Sequence, residues 1–239
     1  MKLTSHLYQV AGDKLSHPYD AAAYLLDGGD ALYLIDCGCP NGYEKIVDNI
    51  RKAGFNPQDI KAIIATHGHY DHVGAAALFK RDFALPLYLH EADRERVETG
   101  DPVKTTAAFL YGCEFPPCKV AGELADGRQF LCKNAVLEII HTPGHTPGSI
   151  SAAVKTDGMR ILLAGDTLWG GYSEKIDSSE KAWKRSLEKL ASYDFDCLSF
   201  GHGGPLLYGM ANDRIKEAAR QFAVYYNPWF KAMKDHFVF

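Results

Sequence analysis

A short histidine-rich segment is the strongest chemical feature of this sequence. Three imidazoles and one carboxylate lie within six consecutive positions, as His67, His69, Asp71 and His72. Histidine nitrogen and carboxylate oxygen are the ligands that zinc prefers in catalytic sites. With 10 histidines in the chain, a chance occurrence of this pattern is expected roughly 0.001 times. The segment therefore predicts a metal site rather than an accidental histidine-rich turn.

Three further residues of the same types follow apolar runs that we predict to be strands. His145 lies in the Pro/Gly-rich loop 142–149, Asp166 follows the run 161–164, and His202 follows the run 197–200. Functional polar groups at strand ends recur in α/β folds. Each of these signals is weak alone, but together they bring the number of candidate ligands to seven.

Together, these motifs resemble those of the metallo-β-lactamase superfamily, from about Ala21 to Pro205. The resemblance implies an α/β fold, a four-layer αβ/βα sandwich, with two divalent metal ions at one edge. Zinc is the metal that we expect, although the same ligands suit iron, manganese or cobalt. Asp36, in the run Leu34 to Gly38, resembles the family's first motif, an aspartate that lies behind the metals.

The resemblance also divides the seven candidates between two metals. The first metal would take three histidines: His67, His69 and His145. The second would take one carboxylate and two histidines: Asp71, His72 and His202. Asp166 would bridge both metals.

The mechanism implied by two such metals needs no serine or cysteine nucleophile. Two cations that share a water lower its pKa and polarise the substrate, so a bridging hydroxide is the expected nucleophile. Asp71 would orient that hydroxide while it holds the second metal, and the metals would stabilise the oxyanion. Either Asp166 or a metal-bound water would protonate the leaving group, and the sequence does not choose between them.

The residues around Asp166 favour a substrate class. The family's true β-lactamases carry Cys or Ser at this position, whereas the run Gly165 to Trp169 is similar to Gly-Asp-Thr-Leu-Phe of glyoxalase II. The glutathione-binding lysine of glyoxalase II lies nine residues after its bridging aspartate, and Lys175 has that spacing here. We therefore expect a glyoxalase II-like hydrolase that cleaves a thioester or ester-type carbonyl.

Two departures from glyoxalase II keep an alternative open. Tyr172, Ser173 and Glu174 replace its Gly-Cys-Gly run, and we expect the 37 residues after His202 to be too few for its C-terminal helical domain. Lys175 is equally well explained as a solvated surface lysine. The alternative is a lactonase or carboxylesterase whose acyl pocket is lined by four aromatic residues: Trp169, Tyr172, Phe109 and Tyr111.

Other members of the family are less favoured by the sequence. A nuclease or phosphodiesterase fits poorly with a net charge of −4 and the lack of a basic arm. A persulfide dioxygenase would need one iron with open positions, and a β-lactamase would lack the bridging carboxylate. A binding module on an inactive scaffold would be expected to have lost ligands, and all seven are present.

The elements that must position these residues alternate between strands and helices, which predicts one α/β domain over residues 1–239. Predicted strands cover 21–26, 31–35, 62–65, 85–89, 136–140, 150–154, 161–164 and 197–200. Predicted helices begin at a capping box formed by Asn41 and Glu44, near Glu91, near Asp177, and before Ile215, the last ending before Pro228. A Gly/Ala-rich turn is predicted at 74–77. The segment 99–127 reads as irregular, either a packed loop or a substrate lid.

Composition indicates a globular, cytoplasmic protein. Apolar residues make up 46% and charged residues 23% of the chain, and we see neither a signal peptide nor a membrane-spanning run. We expect a small-molecule substrate, with no nucleic-acid or membrane partner. The six cysteines are expected to be reduced thiols rather than metal ligands, and the remaining histidines, including His236, to be surface or hydrogen-bonded residues.

Overall fold

Two β-sheets form the centre of the protein. The computed structural model describes residues 1–203 and 209–222, so the predictions that involve Pro205, Pro228 and His236 lie outside the described residues. One sheet has six strands in the order β1-β2-β3-β4-β5-β6, and the other has five in the order β11-β10-β9-β8-β7. Strands β3 to β6 run parallel to one another, as do β10 and β11, whereas the other strand pairs are antiparallel.

The first sheet consists of strands β1 (Leu7–Ala11), β2 (Ala23–Asp27), β3 (Leu32–Ile35), β4 (Ile60–Ile64), β5 (Leu87–Leu89) and β6 (Val120–Glu123). The second consists of β7 (Gln129–Leu131), β8 (Ala135–His141), β9 (Ile150–Thr156), β10 (Met159–Leu163) and β11 (Cys197–Ser199). The helices are α1 (Tyr43–Lys52), α2 (Tyr70–Val73), α3 (Ala76–Phe83), α4 (Glu91–Thr99), α5 (Ala107–Tyr111), α6 (Glu180–Leu190) and α7 (Ala211–Phe222).

Alternation along the strands creates the layers. Successive side chains of a strand point to opposite faces, so Leu25 of β2 packs under the helices on one side while Leu26 packs between the sheets. One core joins the first sheet to α1, α3 and α4, a second fills the space between the sheets, and a third joins the second sheet to α6 and α7. The four-layer αβ/βα sandwich is therefore confirmed.

The helix predicted after Asn41 is confirmed as α1, but the predicted capping box is wrong. Ile46 and Ile50 are fully buried on the face that meets the first sheet. Asn41 instead lies in a short 3₁₀ turn before the helix, and its side-chain oxygen accepts a hydrogen bond from the Tyr70 hydroxyl at 3.1 Å. The side chain of Asn41 therefore makes a tertiary hydrogen bond and does not cap the helix.

Several short elements were not anticipated. Strand β1 and the largely exposed β7 were not assigned, and helix α3 begins within the predicted turn at 74–77. The segment predicted to be irregular contains α5 and β6. Short elements give little periodicity to detect, and β6 becomes a strand because it pairs with β5.

Two expectations from composition can be compared with the structure. All six cysteines are free thiols. Among the described residues, the helices are too short or too polar to cross a bilayer.

Candidate metal centre

The seven candidate ligands come together at one edge of the two sheets. Strands β4, β8, β10 and β11 end beside each other, and the loops that leave them carry His67, His145, Asp166 and His202. Backbone hydrogen bonds connect these loops across the sheets: Ile150 N–H donates to the Thr66 carbonyl at 2.8 Å. Residues that are far apart in sequence therefore share one small volume.

Three histidines form one group of potential ligands. His67, His69 and His145 are buried, and their nearest ring nitrogens all lie within 4.8 Å of one another. His69 Nδ1 is 3.0 Å from both His67 Nε2 and His145 Nε2. We call these residues the three-histidine group.

A second group combines one carboxylate with two imidazoles. His202 Nε2 lies 3.2 Å from Asp71 Oδ2, and His72 Nε2 lies 3.6 Å from the same oxygen. Asp71 and His72 are buried, whereas His202 is half-buried at the rim. We call these residues the Asp71 group.

The carboxylate of Asp166 lies between the two groups. Its Oδ2 is 3.3 Å from His145 Nε2, and its Oδ1 is 3.2 Å from His72 Nε2 and 3.5 Å from His202 Nε2. One oxygen thus faces each group, which is the arrangement that a bridging carboxylate requires.

Two of these atoms lack a hydrogen-bond partner despite burial. Within the described part of the chain, His72 Nε2 and Asp166 Oδ1 have none. Leaving buried polar atoms unpaired is costly, whereas a cation would satisfy their lone pairs. Because nitrogen and carboxylate donors suit divalent transition metals, the residues present fit the implied metal ions.

Asp36 fixes the orientation of His72 and of the start of the histidine-rich segment. It follows β3 with φ of 56°, and its carboxylate accepts hydrogen bonds from the Thr66 backbone N–H at 2.7 Å and the Thr66 hydroxyl at 2.8 Å. Its Oδ2 also lies 2.8 Å from His72 Nδ1. A proton on Nδ1 leaves the Nε2 lone pair directed at the centre, as is usual for metal-binding histidines.

The same device orients His145 on the opposite side. Its Nδ1 lies 2.7 Å from the Gly171 carbonyl, so Nδ1 donates and Nε2 is left facing Asp166. Hydrogen bonds from Nδ1 to protein acceptors thus select the tautomer of one histidine in each group.

Electrostatics differ between the two groups. Burial lowers the pKa of each member of the three-histidine group, so these imidazoles stay neutral. Burial by itself would also lower the pKa of His72 and His202, but the charges of nearby carboxylates have the larger effect. The pKa of His72 therefore rises well above its ordinary value, and that of His202 rises to about 10. Burial opposes ionisation of Asp71 and Asp166, yet the neighbouring histidines hold both pKa values below the ordinary range.

The residues predicted to contact substrate are less closely grouped. Trp169 is half-buried and packs against Phe200 with ring centroids 5.9 Å apart, two residues before His202. Tyr172 packs against the third core. Lys175 is exposed, with its Nζ 5.3 Å from the ring centroid of Phe109.

Tyr111 connects the segment 99–127 with the metal centre. Its hydroxyl interacts with the carboxylate of Asp71, and burial together with the charges of Asp71 and Asp166 raises the pKa of the phenol. Its ring lies 5.1 Å from that of Tyr19. Part of this segment therefore borders the candidate site, while a lid movement stays a prediction.

Sequence reasoning missed one buried carboxylate near the site. Asp93 of α4 is fully buried and accepts hydrogen bonds from both loops that carry the three-histidine group. Its neighbours in sequence are mostly charged, which is typical of an exposed helix. The sequence shows only that Asp93 lies near a helix start, where exposed acidic residues are also common.

Metal binding should expel a proton from His202. Its ordinary pKa is 6.5 and its pKa here is about 10, so the metal-free protein keeps this imidazole protonated at pH 8, whereas ligation requires it neutral. We expect Zn²⁺ affinity to rise with pH up to about 10. His202→Asn should release at least one proton fewer per chain, because a disabled Asp71 group would also leave the imidazole of His72, whose pKa is raised, protonated. Calorimetry in buffers of different ionisation enthalpy measures this number. His6→Gln, far from the site, is the control, and equal release by wild type and His202→Asn would contradict the assignment.

Comparisons with known proteins agree with this geometry. The family model of the metallo-beta-lactamase superfamily matches residues 18–202. A probable metallo-hydrolase of Methanocaldococcus jannaschii is 33% identical over 151 residues, which cover 63% of this chain and 68% of the relative. A probable metallo-hydrolase of Bacillus subtilis is 33% identical over 161 residues, covering 67% and 72%.

A solved structure extends the likeness to nearly the whole chain. A metallo-beta-lactamase from Cronobacter sakazakii superposes with a TM-score of 0.77 at 23% identity, covering 93% of this chain and 90% of that one. At that identity the likeness shows the fold alone. The match of the family model, with the arrangement of histidines and aspartates at the sheet edge, shows that this chain belongs to the metallo-β-lactamase superfamily.

Proposed function

We propose that this protein is a dinuclear metal-dependent hydrolase that cleaves a thioester or ester-type carbonyl in a small-molecule substrate. The observation that carries the proposal is the position of Asp166, with one carboxylate oxygen toward the three-histidine group and the other toward the Asp71 group. A single-metal site would not need a carboxylate shared in this way. The two relatives described as probable metallo-hydrolases support hydrolysis in general and name no substrate.

Each side chain of the site has a distinct task in this proposal. Two divalent cations, zinc in the first instance, would supply a hydroxide at neutral pH and polarise the substrate carbonyl. Asp71 lies 3.2 Å from His202 and would orient the nucleophile from the rim. Asp166, held ionised by its neighbours, would fix the spacing of the two groups.

The border of the site supports a substrate with an apolar acyl part. Trp169 and Tyr111 are both half-buried. Trp169 packs against Phe200, two residues before His202, and the Tyr111 hydroxyl interacts with Asp71. Pockets lined by aromatic side chains with a few polar groups are typical of small-molecule sites. The run Gly165 to Trp169, which is similar to that of glyoxalase II, favours a thioester.

A lactonase or carboxylesterase is the second candidate. It is favoured by the environment of Lys175, which is exposed and lies over the Phe109 ring. An apolar acyl chain would pack against the Phe109 ring and would not need the charge of Lys175. The two candidates share the metal chemistry and differ only in what binds the remote part of the substrate.

A substrate panel tests the proposed reaction. We expect zinc-loaded protein to hydrolyse S-lactoylglutathione, an acyl-homoserine lactone or a p-nitrophenyl ester faster than bis-p-nitrophenyl phosphate or a cephalosporin. A chelator should abolish the activity and Zn²⁺ should restore it. Turnover of the phosphodiester or the cephalosporin alone would contradict the proposal.

Two variants separate the thioester from the lactone. If Lys175 pairs with a glutathione carboxylate, Lys175→Ala should raise KM for S-lactoylglutathione by about 5-fold or less, because an exposed ion pair contributes little, with kcat unchanged. If an acyl chain packs on the indole, Trp169→Ala should raise KM for a long-chain lactone by ~10-fold. Steady-state kinetics of both variants on both substrates measure the difference.

Matched controls make the comparison specific. Lys181→Ala removes another exposed lysine, and Trp169→Phe keeps an aromatic ring. An unchanged KM of Lys175→Ala for the glutathione thioester would remove the support for the glyoxalase II-like substrate.

A further inference from the structure

Asp93 is a buried carboxylate that contacts the two loops carrying the three-histidine group. Its side chain has no solvent exposure. Oδ2 accepts hydrogen bonds from the Gly68 backbone N–H at 2.9 Å and from the Thr146 hydroxyl at 2.7 Å. Oδ1 accepts one from the Gly148 backbone N–H at 2.9 Å. One carboxylate thus contacts Gly68, which separates His67 from His69, and Thr146 and Gly148 in the loop after His145.

The backbone of the two loops approaches residues of α4 too closely for any side chain on Gly68 or Gly148. A Cβ on Gly148 would lie 2.6 Å from Asp93 Cγ, and a Cβ on Gly68 would lie 2.8 Å from Arg96 Cδ. Only glycine permits such contact. Both loops are therefore shaped to bring their N–H groups onto α4.

Arg96 completes the surroundings of the carboxylate. It is buried, and its Nε lies 3.3 Å from Asp93 Oδ1. Its other nitrogens donate to the carbonyls of Lys104 and Ile176 and to the carboxylate of Asp177. The buried charge of Asp93 is thereby paired, and its position is fixed by contacts outside the metal centre.

We propose that Asp93 is the positioning residue of the three-histidine group, as Asp36 is for the Asp71 group. It touches no candidate ligand side chain and acts through the backbone beside them, setting the separation of His67 and His69 from His145. The inference rests on the proposed two-metal function. It assigns each metal position its own buried carboxylate.

A comparison of Asp93 with asparagine, which has the same shape, shows why a carboxylate is needed. Asparagine has one acceptor oxygen, and its NH₂ group would face an N–H or hydroxyl donor of one of the loops. That donor would be left buried and unpaired, which favours separation of the loops. Loss of such supporting contacts typically weakens metal binding by about 10- to 100-fold.

A double-mutant comparison tests this proposal through metal affinity rather than activity. His202→Ala disables the Asp71 group and His69→Ala disables the three-histidine group, and Zn²⁺ affinity is measured by competition with a chromophoric chelator. We expect Asp93→Asn to weaken Zn²⁺ binding by about 10- to 100-fold in the His202→Ala background and by less than about 2-fold in the His69→Ala background. Equal effects in both backgrounds, or none in either, would overturn the proposal.

A milder pair of variants covers the case in which Asp93→Asn does not fold. Thr146→Val removes the hydrogen bond to Asp93 together with the contact of the same hydroxyl with Ser149 Oγ. Thr156→Val removes the hydroxyl of another buried threonine, which donates to the Asn134 carbonyl far from the site. In the His202→Ala background we expect only Thr146→Val to weaken Zn²⁺ binding, by about 3- to 10-fold. Indistinguishable affinities of the two variants would contradict the proposal.

The same titrations separate this inference from the function on which it rests. Wild type that binds no Zn²⁺ contradicts the two-metal function and the role of Asp93 together. Wild type that binds two ions, with Asp93→Asn unchanged in the His202→Ala background, contradicts the role of Asp93 alone.

Discussion

Hydrogen bonds from the backbone of the ligand loops to buried carboxylates hold both halves of the metal centre in place. Asp36 accepts from Thr66 and His72, and Asp93 accepts from Gly68, Thr146 and Gly148. Charge-assisted hydrogen bonds of this kind are stronger than neutral ones and strongest away from water. The loops leave strands of two different sheets, so these contacts convert a strand edge into a site with fixed distances between ligand atoms.

The sandwich makes those contacts possible. Its inter-sheet core is apolar, and it aligns the ends of β4, β8, β10 and β11 so that the loops meet. Two of the facing ligand atoms at this edge, His72 Nε2 and Asp166 Oδ1, have no hydrogen-bond partner among the described residues. Binding of cations would satisfy these atoms and would stabilise the folded state by mass action. Folding and metal binding are therefore expected to be coupled in this protein.

The candidate ligands that the structure brings together could be predicted from the sequence, whereas the residues that support them could not. The type and spacing of His67, His69 and Asp71 point to metal binding, and strand ends are visible as apolar runs that stop at His145, Asp166 and His202. Asp93 was missed because its helix is mostly charged and resembles an exposed one. The predictions for Asn41 and α5 were wrong because both depend on tertiary contacts that local patterns do not contain. Asn41 contacts Tyr70, and Tyr111 of α5 packs against Tyr19 and Tyr70.

The central claim is that one carboxylate, Asp166, joins two metal positions. It is tested most directly by a crystal structure of zinc-loaded protein with anomalous scattering data collected at the zinc edge. The account predicts two anomalous peaks per chain, one among His67, His69 and His145 and one among Asp71, His72 and His202, with Asp166 between them. A single peak at full zinc occupancy, with Asp166 turned away from it, would contradict the account.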